Sequence, residues 1–154
     1  SPLSRKKILS NEFKNNNMQP FSGGRIKQNM APQANVASLD AYNANPNSMM
    51  SSIMNFLSMN DNDEKLIILG DMLELGRFSR EEHEKIVNLL KENGFKKVFL
   101  VGREFLKTSK NTSFPGFEKV EDLVEYFILN QVKNHLIFLK GSRGIKLEKL
   151  LDVL

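Results

Sequence analysis

The stretch KLIILG, residues 65–70, decides how this chain folds. Leu66 to Leu69 are all apolar, so a strand made from them has no face that tolerates water. The run is too short for a buried helix and ends on Gly70, a turn signal. It therefore reads as a strand covered on both sides, as strands of parallel sheets are. Working outward, KVFLVG (97–102) and HLIFLKG (135–141) repeat the pattern, and VASLD (36–40) is a shorter version of it.

The segments between these strands carry a different period. In PNSMMSSIMNFLSM (46–59), Met49, Met50, Ile53, Met54 and Leu57 recur at spacings of three and four, which predicts a helix whose methionines pack in a core. SREEHEKIVNLLKENG (79–94) opens with a capping box, Ser79 to Glu82, and closes on Gly94 as the residue after the helix. The short REFLKT follows the third strand. KVEDLVEYFILN (119–130) predicts a helix burying Leu123, Val124, Phe127 and Ile128, and IKLEKLLDVL (145–154) predicts a closing helix. Strand and helix alternate through short connections, the pattern of an α/β domain. The expected fold is a Rossmann-like, mostly parallel sheet with helices on both faces.

Residues 1–21 differ. SRKKILSNEF suggests a short amphipathic helix with Ile8, Leu9 and Phe13 on one side, and KNNNMQPFSGG breaks it. The division expected is 1–21 as the end of a preceding domain with its hinge, and 22–154 as the α/β domain.

Composition narrows the function. The chain has 154 residues, 40% hydrophobic and 26% charged, with a formal net charge of +4. Its basic residues are scattered, with few aromatics among them, unlike a nucleic-acid footprint. Cysteine is absent, which removes disulfides, thiol nucleophiles and cysteine metal sites, and two histidines do not make a typical zinc site. No apolar run approaches about 18 residues, so no membrane span is expected. The first residues lack a signal-peptide pattern, and a cytoplasmic protein is expected.

In open parallel sheets, ligands bind beyond the carboxyl ends of the strands. Those ends carry DAYNANP, GDMLELG, GRE and KGSRG. Asn45 suits a helix N-cap and Pro46 the first helical position, so the helix would aim its positive end over the rim. Asp40 is either an ordinary turn acid or an acceptor for two ribose hydroxyls. Asp71 and Glu74 could hold an ammonium or merely favour the next helix start. Lys140, Ser142 and Arg143 suit a carboxylate or phosphate. Solvated loops would equally explain the polarity. No G-x-x-x-x-G-K-[ST] loop is present. His83, on a charged helix, is expected in solvent, and His135 at a turn or sheet edge.

DAYNANPNSM, ILGDMLELG and LKGSRG together resemble the C-terminal domain of the Mur ligases, in particular those that add D-alanyl-D-alanine to UDP-N-acetylmuramoyl-tripeptide. The resemblance covers about residues 22–154. It implies a monomeric cytoplasmic enzyme of peptidoglycan synthesis that uses ATP and magnesium. The P-loop, the magnesium ligands and the UDP-sugar site would belong to N-terminal and central domains outside this sequence, leaving the piece inactive alone. Arg25 matches the family arginine that contacts ATP phosphates on closure, and Asp40 the ribose acid. Tyr42, Asn43, Asn45 and Ser48 match the loop lining the nucleotide and dipeptide region. By position, Asp71 and Glu74 would meet the ammonium, and Lys140, Ser142 and Arg143 the dipeptide. NVASL is less apolar than the family's versions of that strand, so a weak edge is expected there. The alternative is a stand-alone nucleotide- or partner-binding α/β module. A phosphate-accepting receiver domain lacks support, since NMAPQANVA offers no acidic pair for magnesium.

Overall fold

The computed structural model describes residues 6–8 (backbone only), 35–60 and 62–154. Strand β1 (Lys6–Ile8) is followed by β2 (Asn35–Asp40), helix α1 (Pro46–Ser58) and β3 (Glu64–Gly70). A 3₁₀ turn (Gly76–Phe78) leads into α2 (Ser79–Glu92), then β4 (Val98–Val101), α3 (Arg103–Ser109) and β5 (Gly116–Phe117). Helix α4 (Val120–Leu129), β6 (His135–Lys140) and two 3₁₀ turns (Arg143–Ile145 and Leu147–Leu150) complete the chain. All described strand pairs are parallel, in the order β1-β2-β6-β3-β4-β5. The last strand of the sequence thus lies between β2 and β3.

Period-2 alternation assigns the faces. Ile67 and Leu69 of β3, with Leu136 and Phe138 of β6, pack against Met49, Ile53 and Phe56 of α1 and Ile86, Val87 and Leu90 of α2. Leu66, Ile68, Ile137 and Leu139 face the other way, onto Val120, Leu123 and Phe127 of α4 and onto Leu147, Leu150 and Leu154. Both faces are covered, which is why the strands are continuous apolar runs. Each fully buried Leu, Ile or Phe side chain stabilises the fold by roughly 1.5–3 kcal/mol.

Several local expectations are corrected. Residues 6–8 pair as a strand with 35–37, where a short helix was expected. An isolated helix of that length is marginal, whereas the open edge of β2 offers unpaired backbone groups. β2 is accordingly no weak edge: Asn35 to Leu39 are all buried. In α1, Phe56 takes the core position and Met54 is 45% exposed, because Met49, Ile53 and Phe56 form the inward stripe. In α4, Ile128 is exposed, and Val120 replaces it in the stripe with Leu123 and Phe127. The capping box of α2 does not form, since Phe78 is already helical and Ser79 lies inside the helix. The closing segment is not an α-helix. Lys146 adopts φ +61 and ψ 48, which breaks helical continuation, and 3₁₀ spacing then brings Leu147 and Leu150 to one buried side.

Among the described residues no helix is long and apolar enough to cross a membrane.

Candidate functional site

The carboxyl ends of the strands form one rim, held together by backbone amides beyond the regular pairing. Gly141 N–H donates to Asp40 O, Ser142 N–H to Asp71 O, and Asp71 N–H to Val101 O. Glycine makes the closest crossing possible: a Cβ on Gly141 would stand 2.8 Å from the Cα of Gly70. The loops after β2, β3 and β6 therefore share one surface, as the sequence suggested.

Asp40 and Lys140 lie in register on β2 and β6. The Lys140 ammonium, its side chain 3% exposed, donates to Asp40 Oδ2 at 2.5 Å and to Asn43 O at 3.0 Å. Asp40 Oδ1 accepts the amides of Tyr42 and Asn43 at 3.2 and 3.4 Å. A carboxylate offers about four acceptor sites, and three are taken among the described residues, so Asp40 keeps room for a further donor. Lys140, expected to hold a ligand carboxylate, has two of its three donors engaged internally, as a buried ammonium must be paired where it stands.

Asn45 and Ser48 also serve the fold. Asn45 Oδ1 accepts Ser48 N–H at 2.9 Å while Ser48 Oγ accepts Asn45 N–H at 3.3 Å, a reciprocal cap at the start of α1. Ser142 Oγ accepts Leu73 N–H at 2.9 Å and so ties the loop after β6 to the loop after β3. Its hydroxyl proton remains available to a ligand.

Asp71 is buried, with both carboxylate oxygens turned inward to receive the amides of Glu104 and Phe105 at 2.9 and 2.8 Å. It caps α3 from a distance, and a Cβ on Gly102, at φ +116, would sit 2.3 Å from its carboxyl carbon. Burial pushes the Asp71 carboxyl above its ordinary value, and the two backbone amides offset part of that. In this structure the Asp71 carboxylate, expected to meet an ammonium, is engaged inside the protein. Glu74, beside it, is exposed and left-handed at φ 64.

His83 is the residue that sequence reasoning misplaced. It is fully buried, with Nε2 accepting Met72 N–H at 3.0 Å and Nδ1 2.7 Å from Ser79 O. The accepted amide leaves the ring proton on Nδ1, which donates to Ser79 O. The signal was present, since His83 shares the stripe of Ile86, Val87 and Leu90. His135 begins β6 at the opposite end of the sheet, 3.4 Å from Glu64.

The groups facing solvent on the rim include Tyr42, Asn43, Glu74 and Arg143. The Arg143 guanidinium lies 5.8 Å from the centre of the Tyr42 ring, which joins the loops after β2 and β6 in one patch. A guanidinium beside an aromatic face, a carboxamide and a spare carboxylate acceptor suits a ligand with phosphate, ring and hydroxyl groups. Arg25 lies outside the described residues. No group of three His, Cys, Asp or Glu residues able to hold a metal occurs among the described residues.

The family described as "Mur ligase, glutamate ligase domain" matches residues 24–143. The UDP-N-acetylmuramoyl-tripeptide–D-alanyl-D-alanine ligase of Rickettsia prowazekii is 37% identical over 119 residues, which cover 73% of this chain and 26% of that protein. The crystal structure of MurF from Acinetobacter baumannii is 29% identical with a TM-score of 0.62, over 73% of this chain and 25% of the other. MurF from Thermotoga maritima, solved in complex with ADP, has a TM-score of 0.63 over 80% of this chain and 28% of its own; at 23% identity that likeness speaks to the fold alone. The chain thus spans about a quarter of the length of the relatives it matches. The family match over residues 24–143 and the identity to the Rickettsia prowazekii relative show that the chain belongs to the Mur ligase family.

Proposed function

We propose that this chain is the closing domain of an ATP-dependent ligase that joins D-alanyl-D-alanine to UDP-N-acetylmuramoyl-tripeptide. In that reaction a carboxylate oxygen of the tripeptide attacks the γ-phosphorus of ATP and ADP leaves. The dipeptide amine, having lost a proton, attacks the acyl carbon, and the tetrahedral adduct expels phosphate. The acyl phosphate must be kept from water, and a hinged domain that shuts over it does so while aligning the amine.

The chain's own contribution lies on the rim. Tyr42, Asn43 and the spare acceptor of Asp40 face the base and ribose of ATP. Arg25 and Arg143 meet phosphate charge, and Glu74 and the Ser142 hydroxyl meet the dipeptide. Asn45, Ser48, Asp71 and Lys140 hold these groups in place from beneath. Magnesium, when bound with ATP, neutralises phosphate charge, and its ligands lie on the domains outside this chain. A cytoplasmic, monomeric enzyme fits the same reading.

The observation that carries it is the joining of the Asp40, Asp71 and Ser142 loops by consecutive amides into a single surface in a domain of this family. A nucleotide-binding module without ligase chemistry is disfavoured by the identity shared with a tripeptide ligase. The test is phosphate release by the full-length protein containing this segment. Release that requires UDP-N-acetylmuramoyl-tripeptide, ATP and D-alanyl-D-alanine together is expected, and Arg143→Ala should lower kcat/KM by at least about tenfold. Release without the dipeptide, or only with another amine, would overturn the proposal.

A further inference from the structure

We propose that His83, a residue with no exposed atom and no contact to the rim's solvent face, is the positioning residue for the half of the site that receives the amine. This rests on the ligase reading above and names a determinant of its acceptor step.

Residues 72–75 have no regular structure, and the loop carries two left-handed positions, Glu74 at φ 64 and Gly76 at φ 55. Such a loop keeps one shape only when its surroundings hold it. Two consecutive amides are pinned from opposite sides: Met72 N–H by His83 Nε2 from below, and Leu73 N–H by Ser142 Oγ from the neighbouring loop. The imidazole is itself immobilised. Its Nδ1–H donates to Ser79 O on the same helix, and its ring meets Phe105 edge-on with centroids 4.5 Å apart. Phe105 lies in the first turn of α3, whose amides at Glu104 and Phe105 are held by Asp71, the residue just before Met72. His83 therefore fixes the spot where α2, α3 and the loop after β3 meet.

Met72 is 1% exposed, so its amide cannot turn to water without moving the chain. Removing the Nε2 acceptor leaves a buried donor unpaired, and the loop must shift to hydrate it. That shift carries Leu73 and Glu74 with it and loosens Ser142, the dipeptide side of the rim. The loop of Tyr42 and Asn43 has its own anchors in Asp40 and Lys140, so it moves less than the 72–75 loop.

The test uses the full-length enzyme with His83→Phe, which keeps the ring and the contact with Phe105 but has no acceptor. His83→Gln returns an acceptor to the same region. The expected result for His83→Phe is a KM for D-alanyl-D-alanine raised about tenfold with the KM for ATP changed less than about twofold, and partial recovery in His83→Gln. Hydrogen exchange of the 71–76 segment should accelerate in His83→Phe, and by more than that of 41–45. Equal rises in both KM values, or a loss of thermal stability with neither KM changed, would show a purely structural residue and overturn the proposal. Unaltered exchange at Met72 and Leu73 would overturn it too. If the unaltered enzyme does not use D-alanyl-D-alanine, the ligase reading fails, and with it the acceptor role assigned to His83. Exchange then decides separately whether His83 holds the loop.

Discussion

At the scale of single residues, the rim rests on charges placed where water does not reach them. Lys140 ends β6 with its side chain 3% exposed, and Asp40, 19% exposed, is its partner. Neither is replaceable alone. Lys140→Met should cost about 3 kcal/mol, because it strands a half-buried carboxylate, and the double change Asp40→Asn with Lys140→Met should cost less than the sum by about 1–3 kcal/mol. Urea denaturation of the four variants measures this; additive losses would mean that the pair is not coupled. The sequence placed both residues at strand tips, but whether a charge there meets solvent or a partner depends on register between β2 and β6, whose partners are 100 residues apart. The Ser38 hydroxyl is buried with no hydrogen-bond partner among the described residues.

At the scale of elements, two helix starts that look alike in sequence behave differently. Asn45-x-x-Ser48 forms a reciprocal cap on α1, helped by Pro46 at the first position. Ser79-x-x-Glu82 has the better-known signature, yet the chain enters α2 through a 3₁₀ turn with Phe78 already helical, so there is no extended cap residue to receive the bond. Asn45→Ala should therefore destabilise by about 1 kcal/mol, and Glu82→Ala by less than about 0.5 kcal/mol. Comparable losses in thermal denaturation would show that a cap does form at Ser79. The stripes of α1, α2 and α4 were legible from spacing. Errors fell on their borders, at Met54 and Ile128, where one step along the helix turns a side chain by about 100° and only the neighbouring layer decides which borderline residue is covered.

For the whole molecule, the order β1-β2-β6-β3-β4-β5 means that the sheet is not complete until its last strand is inserted at the centre. β6 supplies Leu136 and Phe138 to one face and Ile137 and Leu139 to the other, and pairs with both β2 and β3. Ending the chain after Asn134 should abolish cooperative unfolding and the dispersed amide spectrum of a folded domain, although every helix from α1 to α4 would still be encoded. A native-like spectrum from that truncation would contradict the topology.

By itself the sequence determined the class of fold and the end of the sheet where the polar loops gather. Continuous apolar strands separated by amphipathic helices have few other ways to leave water, and polar turns after each strand mark one rim. Only the tertiary structure decided which polar side chains are taken up inside the fold and which stay in solvent. Asp71, Lys140 and His83 are chemically equipped for either task, and burial commits them inward: a polar group taken out of water must find its partner inside the protein, and strands and helices distant in sequence supply those partners.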